Sequence, residues 1–221
     1  MNGHPQQFVD RREGGAELAA RLIGYKGRDD VVVLGLPRGG VPVAFEIATA
    51  LGAPLDVFVV RKLGVPGHAE LAMGAIASGG VRVLNEEVIA WYGLSREAVD
   101  RVAASEQIEL ERREAEYRGD QPLVPITGRT VIVVDDGLAT GSTMKAAVQA
   151  LRGMSPTSIV VAVPVGANDT CRGLAAVADE VICARMPEPF SAVGLWYRDF
   201  SQTTDDEVRE LLEQGRAAGR R

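Results

Sequence analysis

Residues 131–143 carry the clearest chemical signal in this chain, reading Val-Ile-Val-Val-Asp-Asp-Gly-Leu-Ala-Thr-Gly-Ser-Thr. The run of β-branched residues predicts a strand buried on both faces, as in a parallel sheet covered by helices. Asp135 and Asp136 then place two carboxylates at the end of that strand, the edge where open α/β sheets bind ligands. The glycines and hydroxyl residues that follow predict a loop opening a helix, whose free N–H groups and positive dipole end suit a phosphate.

Two carboxylates beside a phosphate loop indicate that the ligand is a phosphorylated sugar. The acids would accept hydrogen bonds from sugar hydroxyls or hold Mg²⁺ through water, whereas they would repel the phosphate. A Walker B strand is the main rival interpretation, but it needs a G-x-x-x-x-G-K-[ST] loop, and neither Gly-Lys-Ser nor Gly-Lys-Thr occurs. Gly35, Gly39 and Gly40 also lack the G-x-G-x-x-G spacing of a dinucleotide site.

The 131–143 run closely resembles the binding signature of the type I phosphoribosyltransferases for phosphoribosyl pyrophosphate (PRPP). In that family the two acids hold the ribose 2- and 3-hydroxyls, and the loop holds the 5-phosphate. The resemblance implies these roles for Asp135, Asp136 and residues 137–143. It also implies Mg²⁺ bound mainly through PRPP, with Asp135 or Asp136 contacting it through water and no dedicated protein cage.

A second candidate loop, Gly35-Leu36-Pro37-Arg38-Gly39-Gly40, follows a predicted strand over Val31–Leu36. Its backbone N–H groups and the guanidinium of Arg38 suit an anion. Because it ends a strand, as the acid pair does, we expect both loops to open on one crevice. The segment resembles the family's pyrophosphate-binding loop, which implies a non-proline cis peptide between Pro37 and Arg38.

Arg61 and Lys62 close a predicted strand over Leu55–Val60, and residues 63–82 are rich in Gly, Ala and Pro. We predict a long mobile loop over 63–82, with a short hairpin near Ala75–Leu84. The pattern resembles adenine phosphoribosyltransferases and, less closely, orotate enzymes. It implies that Arg61 and Lys62 bind pyrophosphate beneath a lid. In some of these enzymes the arginine of the pair reaches a neighbouring subunit, which implies the same for Arg61. Glu70 lies roughly where the adenine enzymes carry a loop carboxylate near the base, and His68 is an alternative proton carrier.

The segment from Phe190 to Phe200 brings several aromatic side chains together after the last predicted strand. Phe190, Trp196 and Tyr197 are either a hood on which a base stacks or core residues that anchor the tail, and the sequence leaves both interpretations open. The segment resembles the purine-binding hood of hypoxanthine-guanine enzymes. Those enzymes, however, carry an Asp in the PRPP loop where this chain has Ala139, as adenine and orotate types do.

Composition and the remaining patterns predict one α/β domain with a mainly parallel sheet flanked by helices. Its core should span about 28–184, with a small hood and tail over 185–221, in a chain of 221 residues. Further helices are predicted after Asp10, Asn85 and Ser95, and from Asp205 to about Gln214. The net charge of −6 disfavours nucleic acid as a partner.

Targeting and metal signals are weak throughout. The N-terminus lacks the apolar core of a signal peptide, and no apolar run approaches the length of a membrane helix. We therefore expect a cytoplasmic protein that does not bind a membrane. Cys171 and Cys183 are expected to be reduced, buried thiols, and with His4 and His68 as the only histidines a zinc site is not expected.

Together the resemblances imply a Mg²⁺-dependent nucleobase phosphoribosyltransferase acting on PRPP and a nucleobase, most simply a purine, as a homodimer. The alternatives are a PRPP-binding regulator without turnover and a catalytically degenerate scaffold. The residues implied in the chemical step are Asp135, Asp136, Arg38, Lys62 and Glu70. Those implied in PRPP binding are Pro37, Arg38, Gly39, Gly40, Arg61, Lys62, Asp135, Asp136, Gly137, Leu138, Ala139, Thr140, Gly141, Ser142 and Thr143.

Overall fold

The computed structural model describes residues 7–218, which form a layered α/β domain. Its strands are β1 (Val31–Gly35), β2 (Leu55–Val57), β3 (Val60–Val65), β4 (His68–Ala77), β5 (Val81–Leu84), β6 (Thr130–Val134), β7 (Ser158–Val165) and β8 (Glu180–Arg185). Its α-helices are α1 (Arg11–Arg21), α2 (Gly40–Leu51), α3 (Glu86–Trp91), α4 (Arg96–Arg118), α5 (Ser142–Gly153), α6 (Asn168–Leu174) and α7 (Asp205–Ala218). Short 3₁₀ helices cover Ile23–Tyr25 and Val193–Trp196.

The central sheet has five parallel strands in the order β2-β1-β6-β7-β8, confirming the predicted fold class. All residues of β1 and β6 are buried. Their alternating side chains enter two separate hydrophobic clusters, one on each face of the sheet. The apolar, β-branched runs of the sequence therefore mark strands covered by helices on both sides. Among the described residues, no helix has the length and apolar character required to cross a membrane.

Side-chain caps set the starts of the predicted helices. Asp10 accepts a hydrogen bond from the Glu13 amide at 2.9 Å, so that α1 begins at Arg11. Asn85 and Ser95 cap α3 and α4 in the same way, confirming both predictions. Each cap satisfies an amide that would otherwise lack a partner in the first helical turn.

The predicted loop over 63–82 is wrong for most of its length, because strands β3, β4 and β5 form a three-stranded antiparallel sheet, whereas the predicted hairpin near Ala75–Leu84 is confirmed by the pairing of β4 with β5. The predicted strand over Leu55–Val60 is likewise two strands, β2 in the central sheet and the start of β3 in the second. Arg61 and Lys62 therefore lie within β3 and not at a strand end. Gly67, Gly79 and Gly80, which suggested a loop, have positive φ angles of 82°, 80° and 75° and form the turns between these strands. Mobility of this segment stays a prediction.

A buried ion pair joins the long helix α4 to both sheets. The Arg118 guanidinium donates to Asp56 Oδ1 at 3.0 Å, to the Val57 carbonyl at 2.7 Å and to Ser78 Oγ at 3.1 Å. Asp56 also accepts from the amides of Val57 and Val124. With both charged side chains only 5% exposed, the pair holds β2, the end of β4 and α4 in one arrangement.

We predict that Arg118→Met lowers the free energy of unfolding by about 3–5 kcal/mol, because it leaves the Asp56 carboxylate buried without its counter-ion. Urea unfolding followed by circular dichroism measures this. The matched control is Arg112→Met on the same helix, whose ion pairs to Glu109 and Glu116 are solvent-exposed, and which should change stability little. Equal losses in the two variants would contradict the role given to Arg118.

Candidate active site

The two candidate loops meet at the carboxyl edge of the central sheet, as predicted from their positions after strands. The Leu36 amide donates to the Val134 carbonyl at 2.8 Å, joining the start of one loop to the end of β6. A Cβ atom added at Gly39 would lie 2.0 Å from Asp136 Oδ2, and one at Gly40 would lie 2.5 Å from the Val134 carbonyl oxygen. The absence of side chains at both glycines therefore lets the two loops share one crevice.

The first loop has the backbone that the resemblance implied, since the peptide between Pro37 and Arg38 is cis. The Arg38 side chain is about one-third exposed, and its Nη1 lies 3.6 Å from Asp205 Oδ2 at the start of α7. Asp205 also accepts a hydrogen bond from the Tyr117 hydroxyl at 2.6 Å. Arg38 is thus held at the crevice by a long, partly solvated contact, which a more strongly charged anion can replace.

The acid pair is partly buried and held by specific partners. Asp135 Oδ1 accepts from the Asp136 amide at 2.9 Å, and Asp136 Oδ2 accepts from Arg11 Nε at 2.8 Å. Burial raises the pKa of Asp135 well above its usual range, and the neighbouring Asp136 charge raises it further. Burial also raises the pKa of Asp136, although the Arg11 guanidinium opposes that shift.

The second loop, residues 137–141, leads into α5 and leaves two of its amides available. The Leu138 amide and carbonyl bond to Val165 and Ala167, which anchors the loop beside β7. The amides of Ala139 and Thr140 donate no hydrogen bond within the described part of the chain. Gly141 adopts φ 68° at the N-cap, and α5 begins at Ser142. Free amides at a helix start form an anion site because both the N–H groups and the dipole favour negative charge.

A cleft of about 560 Å³ lies between α5 and the second sheet. Lys62 from β3 and Ser142 and Lys145 from α5 line it. The structure therefore brings Lys62 close to the start of α5, as expected for a cation near the phosphates. Sequence reasoning missed Lys145, although its place three residues after Ser142 puts it on the same helical face.

Three predicted residues make no contact with the acid pair among the contacts of the described residues. Arg61 forms an ion pair with Glu106 of α4, at 2.6 Å from Nη2 to Oε2. Glu70 is exposed on β4 and makes no hydrogen bond or ion pair within the described residues. The His68 ring packs on Tyr92 at 5.5 Å between centroids. None of these contacts joins Arg61, Glu70 or His68 to the acid pair, so their roles stay predictions.

Comparison with known proteins agrees with this geometry. A sequence model of the phosphoribosyl transferase domain matches residues 7–186. The chain belongs to the phosphoribosyl transferase family. Two Mycobacterium tuberculosis proteins, both named "Putative phosphoribosyl transferase" (strains CDC 1551 and H37Rv), are 52% identical over 207 residues, covering 94% of this chain and 46% of theirs. The chain thus spans about half the length of these relatives.

A solved structure shows the same fold. The crystal structure of TT1426 from Thermus thermophilus has 42% sequence identity and a TM-score of 0.86, covering 95% of this chain and 99% of that one. The central parallel sheet with flanking helices is therefore an architecture that this chain shares with a solved protein.

The tail aromatics of this phosphoribosyl transferase domain are mostly structural. The Tyr197 ring is 3% exposed and lies against Phe8 and Phe200, so that it offers no open face to a base. Its hydroxyl donates to the Asp136 carbonyl at 2.6 Å. Trp196 is also buried, and its indole Nε1 has no hydrogen-bond partner among the described residues. Phe190 is half-buried at the margin of this cluster and keeps the stacking role as a prediction.

The acid pair fits a Mg²⁺ ion that is held mainly by its ligand's phosphates. No group of three or more His, Cys, Asp or Glu side chains suited to a metal occurs in the part of the chain that the structure describes. Asp136 Oδ2 is already paired with Arg11 and Asp135 Oδ1 with the Asp136 amide, which leaves Asp136 Oδ1 and Asp135 Oδ2 for hydroxyls or metal-bound water. Mg²⁺ commonly keeps several waters and binds through one or two carboxylates and substrate phosphates.

We predict that Gly39→Ala weakens PRPP binding by about tenfold to a hundredfold, because the added Cβ displaces the Asp136 carboxylate. Gly39 has helical φ and ψ angles, so Ala itself fits the backbone. Isothermal titration calorimetry with PRPP and Mg²⁺ measures the effect. Gly24→Ala is the control, since a Cβ there meets nothing within 4 Å. Unchanged affinity in Gly39→Ala would mean that the loop packing does not position Asp136.

Proposed function

We propose that this chain transfers the 5-phosphoribosyl group of PRPP to a nucleobase nitrogen, with Mg²⁺ present and pyrophosphate released. The observation that carries the proposal is the shared crevice in which the acid pair lies between two anion-binding loops. PRPP needs this combination, because its ribose hydroxyls lie between a 5-phosphate and a pyrophosphate. Family membership supports the reaction class.

Each element of the crevice has a role that follows from its charge. Asp135 and Asp136 accept hydrogen bonds from the ribose hydroxyls, while the free amides at the start of α5 hold the 5-phosphate. Arg38 and Lys62 stabilise the charge that grows on the departing pyrophosphate, and Lys145, which lines the cleft with Lys62, Glu86 and Glu87, adds a third cation. When bound, Mg²⁺ supplies further charge neutralisation at the phosphates.

Bond breaking at ribose C1 needs a site from which water is excluded. The second sheet, β3–β5, borders the cleft beside Lys62 and is the element that would close over PRPP. The acceptor that we propose is a purine, with Phe190 as the stacking surface. Ala139 agrees with an acceptor of the adenine or orotate type, as its resemblance implies. Homodimer formation and a cytoplasmic location stay predictions from the sequence.

Release of pyrophosphate from PRPP and Mg²⁺ across a panel of purine and pyrimidine bases tests the function directly. We expect one base to give release that depends on both PRPP and the base. In the double variant Asp135→Asn, Asp136→Asn, PRPP affinity should fall about a hundredfold or more, because neutral amides are weaker hydroxyl acceptors than carboxylates.

The matched control is Asp29→Asn, Asp30→Asn, another adjacent acid pair at the opposite end of β1. This control should bind PRPP like the unchanged protein. PRPP binding without pyrophosphate release for any base would favour a regulator, and absence of PRPP binding would refute the proposal.

We predict that Phe190→Ala raises the KM for the base about tenfold while leaving PRPP affinity unchanged, since stacking on an aromatic contributes roughly 1–3 kcal/mol per base. Trp196→Ala is the comparison variant, because it removes a buried ring of the same cluster. It should lower the melting temperature and weaken both substrates. If Phe190→Ala behaves like Trp196→Ala, the tail is an anchor and not a hood.

A further inference from the structure

Arg11, the first residue of α1, reaches the acid pair from a distant part of the sequence. Its Nε donates to Asp136 Oδ2 at 2.8 Å, and the two residues are 125 positions apart. The side chains of Arg11 and Asp136 are 12% and 17% exposed. The contact is therefore a shielded, charge-assisted hydrogen bond of the stronger kind, and not a screened surface pair.

The tail of the domain holds Arg11 in place on its other sides. Nη1 donates to the Ser201 carbonyl at 2.7 Å, and the guanidinium lies over the Phe200 ring, 4.0 Å from its centroid. Phe200 stacks in turn on Tyr197, whose hydroxyl donates to the Asp136 carbonyl. Backbone and side chain of Asp136 are thus both fixed by groups that the same tail positions.

The Arg11 guanidinium also borders the first loop, residues 35–40. A Cβ at Gly39 would lie 3.2 Å from Arg11 Nε as well as 2.0 Å from Asp136 Oδ2. Arg11 and the Gly39 backbone both lie against Oδ2, so the Asp136 carboxylate cannot turn further toward that loop while Arg11 holds this oxygen. The remaining carboxylate oxygen has a defined direction.

We propose that Arg11 is a positioning residue that orients the Asp136 carboxylate for the ribose hydroxyls of PRPP. The inference rests on the proposed function, because it assumes that Asp136 binds those hydroxyls. In this role Arg11 acts through Asp136, and its Nε and Nη1 donate to Asp136 and Ser201. Its loss should therefore weaken recognition of the sugar while leaving the phosphate loop intact.

The test compares Arg11→Gln with Arg12→Gln, the same substitution one position along the helix. Arg12 pairs with Glu46 at 3.1 Å on an exposed surface and has no contact with the acid pair. Calorimetry measures affinity for PRPP with Mg²⁺, and separately for inorganic phosphate, which has no ribose hydroxyls. We expect Arg11→Gln to lose about tenfold in PRPP affinity relative to Arg12→Gln and to keep phosphate affinity within about twofold.

Two further variants separate positioning from folding. Arg11→Lys keeps a cation near Asp136 but loses the planar contact with Phe200, so it should recover part of the PRPP affinity. If Arg11→Gln does not fold, Phe200→Leu takes its place in the test. This variant removes the ring under the guanidinium and should also weaken PRPP binding. Equal PRPP affinity in Arg11→Gln and Arg12→Gln, or parallel losses for PRPP and phosphate, would overturn the proposal. An unchanged protein that fails to bind PRPP would instead refute the proposed function.

Discussion

The close approach of two backbone segments at the carboxyl edge of the central sheet is the constraint on which the site depends. β1 and β6 are neighbours in register, with Gly35 opposite Val134, so the loops that follow them emerge side by side. There is room for both loops because Gly39 and Gly40 carry no side chains. The carboxylates that follow β6 therefore lie against the loop that follows β1, and the loop before α5 completes the crevice. A ligand with sugar hydroxyls between two phosphate groups matches this order of groups.

The electrostatics of the crevice follow from the same packing. Burial raises the pKa of both acids, so the negative charge on the pair is held at a cost in solvation. Arg11 offsets that cost at Asp136, whereas Arg38, Lys62 and Lys145 lie toward the loops and the cleft. Hydroxyl donors at the acids and phosphates at the cations would satisfy both sets of charges.

Features encoded by neighbouring residues could be predicted from the sequence, and features made by distant residues could not. The buried strand β6, the loop after it and the caps at Asp10, Asn85 and Ser95 each follow from residues a few positions apart. Only one hairpin of the second sheet was predicted, because the glycines and alanines of this segment match loop composition, and only pairing with partner strands shows that they are turns and packing positions. The contacts of Arg11 with Asp136 and of Arg118 with Asp56 join residues 125 and 62 positions apart, and no local pattern marks them.

The tail shows why the sequence left two interpretations of its aromatics open. Aromatic residues that pack beneath an acid pair have the same apolar, flat side chains as aromatic residues that stack on a base. The structure distinguishes the two roles by where the residues pack. The Phe8 amide donates to the Trp196 carbonyl at 2.8 Å, and the Arg198 amide donates to the Phe8 carbonyl. The segment before α1 and the segment before α7 thus meet beside Tyr197. The Asp10 cap fixes where α1 begins. The contacts of Phe8 with the tail therefore also position Arg11, and Arg11 in turn orients the Asp136 carboxylate.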